Sequence, residues 1–319
     1  MSNFFGLLQN ENMKIYRRSS AKVMIIIMLG LILAAGLIIK FSGDQPKDDP
    51  HWKQTLVQEN KELNKQLVSV KGNDQMTYYF KKSIAMNEYR LDHNLKPEQG
   101  ETLWSFVQGA GGSLMIMVIS IFTIIIVSTS IASEFDTGTI KLLLIRPIYR
   151  TQILLSKYIS ALLFTVVCLI TLFIASWLLG GILFGFGGAS EAHLVYDNGT
   201  VYQSSWTLAI WKDYLLNCVS LFMMVTFAGL IAAAFRNGGL AIGLSIFTLM
   251  ASSIVVTLLQ KFDWVKYVLF ANTDLTQYTT GTPLREEMTL GFSLAVLAVY
   301  YVIFVLIGWA FYTRRDIKA

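Results

Sequence analysis

The residues from Ser133 to Arg150 concentrate the chemistry of this chain. Glu134 and Asp136 open the segment, Lys141, Arg146 and Arg150 follow, and Gly138 and Pro147 punctuate it. Phe135 and the run from Leu142 to Ile145 lie between the charges. Acids, then an apolar ridge, then bases are the makings of a docking surface: charge pairs orient a partner while apolar side chains are buried against it. A solvated tether needs no such ridge. Long apolar runs flank the segment on both sides, so it turns outside the bilayer and reads as a helix lying across the membrane surface.

Self-contained catalysis has no comparable signature. The chain has no Gly-x-x-x-x-Gly-Lys-Ser/Thr phosphate loop, no His-Glu-x-x-His zinc pattern and no Gly-x-Ser-x-Gly nucleophile elbow. His51, His93 and His193 lie far apart in polar loops, and Cys168 and Cys218 fall inside apolar runs, where thiols act as small apolar side chains. The interiors of the apolar runs carry no Asp, Glu, Lys, Arg or His, which argues against an ion- or proton-coupled transporter. They do carry hydroxyl and amide side chains, among them Ser128, Thr165, Asn217 and Ser252. Two readings of these stand: helix–helix packing, or the lining of a weakly polar cavity on a cargo pathway.

The elements that must position these residues are membrane helices. The chain has 319 residues, 54% hydrophobic and 15% charged, with a mean hydropathy of +0.52. Crossing the hydrocarbon takes about 20 mostly apolar residues in a helix. Six runs qualify, at 23–39, 114–132, 159–184, 215–235, 239–259 and 290–311. Unbroken apolar runs exclude a β-barrel, whose strands alternate. The first run follows polar chain and lacks a small-x-small cleavage pattern, so it is an anchor.

An even number of spans puts both termini on one side. Lys14, Arg17, Arg18, Lys22, Lys141, Arg146, Arg150, Lys157, Arg236, Arg314, Arg315 and Lys318 all fall on that side, against only Glu11, Glu134, Asp136 and Asp316. The positive-inside bias makes that side cytoplasmic. The net charge of +5 is therefore a topology signal and gives no nucleic-acid reading.

The expected fold is an all-α polytopic membrane protein with six transmembrane helices. Residues 1–20 read as an amphipathic interface helix, with Phe5, Leu8, Glu11 and Ile15 on it, or alternatively as a frayed basic tail, and the first span covers 21–41. An extracytoplasmic helical region follows over 42–112, broken at Lys71-Gly72-Asn73 with a second helix from Asp74. This helical hairpin reads either as a gate for substrate or partner, or as a solvated connector. The second span covers 113–133, the coupling region 134–157 and the third span 158–184. A loop over 185–212 holds a β-hairpin, signalled by Asn198-Gly199 between β-branched and aromatic residues. Spans follow at 213–235, 239–260 and 289–312. The aromatic stretch from Trp264 to Phe270, within 261–288, reads as a re-entrant or interfacial helix, and 313–319 forms a tail.

The charged connection also carries a family likeness. An acidic residue, Gly-Thr, a Lys-Leu-Leu run, then Pro and Arg is the pattern of Glu134, Gly138, Thr139, Lys141, Leu142, Leu143, Pro147 and Arg150. It resembles the coupling region of ABC-2 type exporter permeases, the membrane subunits of ATP-binding cassette transporters. Asn87 to Asn94, Phe311 to Ile317 and the overall layout of spans extend the likeness. The resemblance implies that Glu134, Phe135, Asp136, Thr137, Gly138, Thr139, Lys141, Leu142, Leu143, Pro147 and Arg150, together with the interface helix, dock an ATPase. Arg146 and Arg150 also suit the role of headgroup anchors. It further implies two copies of a separate ABC ATPase, which would bind the ATP and Mg, and a second permease subunit, identical or homologous. This chain would itself hold no cofactor or metal and would not be an enzyme. The long first outer loop resembles that of bacterial permeases of peptide-antibiotic resistance and immunity. The expected role is export of an amphipathic cargo, a peptide antibiotic or lipid-like compound, across a bacterial plasma membrane. The alternative is a membrane sensor or immunity protein that binds an extracellular ligand through 42–112 without transport.

Overall fold

Apolar segments in hydrocarbon must close their backbone hydrogen bonds internally, and a helix does so within one segment. The computed structural model describes residues 4–42, 49–69, 74–97, 100–109, 113–136, 149–187, 193–197, 199–280, 283–285 and 287–314. Six of its helices are long and apolar enough to cross a membrane. They are α2 (Ser19–Ser42), α6 (Ser113–Asp136), α7 (Arg150–Phe184), α8 (Trp206–Phe235), α9 (Gly238–Leu259) and α12 (Leu290–Arg314). The protein is an all-α polytopic membrane protein with one small two-stranded sheet.

Helix α6 is the hub: it packs against α7, α8 and α9, and Ile119, Ile126 and Val127 along it are fully buried. Two ends of the bundle can be told apart. At the terminal end, α1 (Phe4–Arg17) packs on the start of α7. At the hairpin end, α3 (Trp52–Ser69) and α4 (Asp74–Asp92) pair, joined by a buried hydrogen bond of 3.0 Å from Asn87 Nδ2 to Asn60 Oδ1. Strands β1 (His193–Asp197) and β2 (Thr200–Ser204) pair antiparallel with Asp197 opposite Thr200. The turn between them places Gly199 at φ +89°, which glycine adopts without steric cost. Tyr78 of α4 meets Tyr196 of β1 edge-on at 5.3 Å, so the helical hairpin rests on the strands.

Three features differ from the sequence expectation. Helix α7 begins at Arg150 and runs for 35 residues, so the end of the expected coupling region is continuous with the helix of the third span. Helix α8 likewise begins at Trp206, within the expected outer loop. The Trp264–Phe270 stretch is a 3-10 turn (Asp263–Tyr267) and a short helix, α10 (Leu269–Thr273), separated by an extended Val268. A further short helix, α11 (Gln277–Thr280), follows. Like α11, one more element had no forecast of its own: α5 (Leu103–Gly109), whose Phe106 and Val107 are fully buried among the helix ends.

Candidate functional site

At the terminal end the decisive residues are charged and out of water. In α1, residues Leu7, Glu11 and Ile15 recur every four positions and so share one face. Leu7 and Ile15 join the main core, which places Glu11 between them at 6% exposure. The facing side chain is Lys157 of α7, 2% exposed, whose Nζ donates to Glu11 Oε2 at 3.0 Å. Lys14, one turn on from Glu11, donates to the other carboxylate oxygen. Burial alone would raise the Glu11 pKa, but Lys157 and Lys14 together outweigh it and hold the carboxyl below its ordinary value.

Neighbouring contacts extend the seam. Tyr16 lies 6.0 Å from the ring of Phe164, and Arg18 Nη1 donates to Thr129 Oγ1 of α6 at 3.3 Å. Leu8 is half-buried, whereas Phe5 is 77% exposed and faces away from the bundle. The interface helix is thus bolted to the third span as well as being amphipathic. Lys157, counted in the sequence as part of the connection, instead lies inside α7 and buries its charge. The available signal was a carboxylate on the apolar face of α1, which demands a buried cation opposite.

The expected coupling residues fall partly outside the described structure. Thr137, Gly138, Thr139, Lys141, Leu142, Leu143 and Pro147 lie outside the described residues, as do the side chains of Glu134, Phe135 and Asp136 at the end of α6. Arg150, the first residue of α7, donates from Nη1 to the Thr313 carbonyl oxygen at 3.0 Å. Nearby, Trp309 Nε1 donates to Thr151 Oγ1 at 3.1 Å. The connection therefore re-enters the bundle at a point tied to the last turn of α12.

At the hairpin end a cavity of about 600 Å³ opens between α5, α6, α8, α9 and α10. Asp213, Tyr214, Asn217 and Ser220 of α8 line it, with Gln108 of α5 and Ser252 of α9. Of the four cargo-pathway candidates, Asn217 and Ser252 belong to this cavity. Ser128 and Thr165 do not: both are fully buried elsewhere, and Thr165 Oγ1 donates to the Ala161 carbonyl at 2.9 Å. Asp213 accepts from Gln108 Nε2 at 3.3 Å and from Thr279 Oγ1 at 2.8 Å. Sequence reasoning missed Asp213, because it sits just outside the strict apolar run that marked the fourth span. Among the described residues, no group of three His, Cys, Asp or Glu side chains is placed to hold a metal ion.

Residues 67–318 match the family described as "Protein of unknown function (DUF2705)". The chain belongs to the DUF2705 family. It is 43% identical over 315 residues to "Uncharacterized protein YhcI" of Bacillus subtilis (strain 168), covering 98% of this chain and 99% of that protein. It is 33% identical over 205 residues to "Uncharacterized membrane protein YdbK" of the same organism, covering 63% of this chain and 79% of that one. The second description and the six apolar helices agree on a multi-pass membrane protein. Within this DUF2705 chain two charged sites stand at opposite ends of the bundle, the Glu11–Lys157 seam at the terminal end and the Asp213 cavity at the hairpin end.

Proposed function

We propose that this chain is the membrane-spanning permease subunit of an ABC-2 type transporter, working with a separate ATPase to export an amphipathic cargo. Both termini then lie in the cytoplasm of a bacterium, and the plasma membrane is the one crossed. The observation that carries the reading is the buried Glu11–Lys157 pair. It joins the amphipathic helix to the third span, just beyond the charged connection whose sequence resembles a coupling region. At 35 residues, α7 is about 50 Å of continuous helix. A push on the connection therefore acts on a lever whose near end is locked to α1 and tied to α12. ATP-driven closure of two ATPase subunits would move that end and rock two permease subunits between inward- and outward-opening states.

The chain's own residues have separable roles in this scheme. Glu134 and Asp136 offer charge to the ATPase, Gly138 allows close approach, and Glu11 with Lys157 transmits the displacement into the bundle. Two copies of the ATPase and a second permease subunit complete the assembly.

The test is affinity purification of the chain from its native membranes, with a Glu134→Lys variant alongside and bound proteins identified by mass spectrometry. A nucleotide-binding ATPase recovered with the wild type and lost with Glu134→Lys is the expected result. Recovery of a signalling kinase with no ATPase would overturn the reading in favour of a sensor.

A further inference from the structure

We propose that the cavity at the hairpin end binds a cationic amphiphile, a molecule that carries a primary ammonium group on an apolar body. A space of about 600 Å³ matches pockets that enclose small organic ligands. Its walls are mainly apolar, with Ile116, Met224 and Phe270 among them, and methionine adapts readily to irregular apolar shapes.

Charge decides the sign of the ligand. Among the described residues, the ionisable groups lining the cavity are Asp213, Asp274 and the phenol of Tyr214, with no Lys, Arg or His. Asp213 is bonded to Gln108 and Thr279, but an ionised carboxylate offers about four acceptor sites, so it retains capacity for a further donor. Asp274, exposed at the rim, is engaged with the backbone and hydroxyl of Thr276. Basic groups at this end include Lys212, exposed on the turn of α8 beside Asp213, and Lys82 of α4, while Lys266 and Arg285 of the outer segment pair with Glu287 and Asp263. Burial lowers the His193 pKa, against the opposing pull of Asp213.

Tyr214 supplies the independent observation. Its side chain is 9% exposed, lines the cavity, and has a hydroxyl with no hydrogen-bond partner. Its ring is fixed edge-on against Phe173 at 5.8 Å, so the hydroxyl cannot readily swing to find one. A buried hydroxyl left unpaired is costly, and a ligand donor relieves that cost. Asn217 lies three residues from Tyr214 and four from Asp213 on α8, so it shares a helix face with each, and all three acceptors line the cavity. A primary ammonium has three donors and no acceptor, so it matches this set, and the charged hydrogen bond to Asp213 is the strong one. An anionic head would face Asp213 unfavourably, and a neutral head would leave its charge unused.

The claim concerns binding alone and does not rest on the transport reading, although such a ligand would also define the cargo class. The test uses the full chain in zwitterionic lipid nanodiscs, with radiolabelled dodecylammonium, dodecyl maltoside and dodecyl sulfate as probes and empty nanodiscs as the blank. Saturable dodecylammonium binding near one per chain is expected, with at least tenfold weaker binding of the other two. Asp213→Asn should weaken dodecylammonium at least tenfold and Tyr214→Phe several-fold. Glu287→Gln, at an exposed carboxylate paired with Lys266 outside the cavity, should leave it unchanged. A thermal melt of each variant without probe separates lost binding from lost folding, and Tyr214→Phe keeps the test informative if Asp213→Asn fails to fold. Equal binding of dodecyl maltoside, absence of saturable binding, or indifference to Asp213→Asn and Tyr214→Phe would each overturn the proposal. Saturable binding in nanodiscs, combined with recovery of no ATPase from native membranes, would sink the transport reading and leave this one standing.

Discussion

A carboxylate and an ammonium that meet out of water are stable only as a pair. Glu11 and Lys157 are each almost fully buried, unlike Asp263 and Arg285 of the outer segment, whose pair includes a carboxylate that is 89% exposed. Screening and side-chain entropy leave exposed pairs of the second kind worth little. Breaking a buried pair by removing one partner instead strands a charge, at a cost of about 3–5 kcal/mol. Glu11→Gln and Lys157→Met should therefore each destabilise the protein by an amount in that range, while the double variant should recover most of the loss. The measurement is thermal unfolding of all four proteins in one detergent, read as a double-mutant cycle. Additive losses would mean that the two side chains do not act on each other. This pair was only half legible in the sequence. The apolar period of α1 exposes Glu11 as an anomaly, but nothing local identifies Lys157 as its partner, because the two are 146 positions apart.

At the scale of elements, hydropathy located what hydrocarbon demands and little else. The six spans and the β-hairpin were legible because a run of apolar residues and an Asn-Gly turn are local signals. Helix α5 was not, since seven residues are too few to show a helical period. Its place is set by fit: Phe106 sits where helices α2 and α7 each present a glycine. A Cβ added at Gly180 would lie 3.1 Å from Phe106 Cδ1 and 3.5 Å from the Leu103 carbonyl oxygen, so a larger side chain meets backbone as well as ring. Gly180→Leu should overpack this joint and cost about 1–3 kcal/mol. Gly30 of α2 has nothing within 4 Å of an added Cβ, so Gly30→Leu should be tolerated. Melting temperatures of the two variants against the wild type give the comparison. Equal effects would show that α5 is not wedged by Phe106.

Over the whole molecule, the two candidate sites stand at opposite ends joined by α7 and α8. The cavity was partly legible: Asn217 and Ser252 were singled out as polar residues in apolar runs. Its carboxylate and its unpaired phenol emerge only when α5, α6, α8, α9 and α10 converge, a tertiary fact that no periodicity encodes. Because each end holds its own titratable group, the ends should respond to acid separately. At the hairpin end, the His193 ring lies tilted against Trp206 with centroids 4.2 Å apart, and burial holds its pKa below the ordinary value. The folded state thus favours neutral His193, and the stability this gives is present above pH about 6.5 and lost as pH falls through the lowered pKa. At the terminal end the Glu11 pKa is also lowered, so its contribution is complete above pH about 4.3 and lost only on further acidification. Tryptophan fluorescence should therefore change first, in a step that His193→Phe abolishes. A fluorophore attached through Met13→Cys on exposed α1 should change at lower pH, in a step that Glu11→Gln abolishes. One shared transition at a single pH would show instead that the bundle couples its two ends as one cooperative unit.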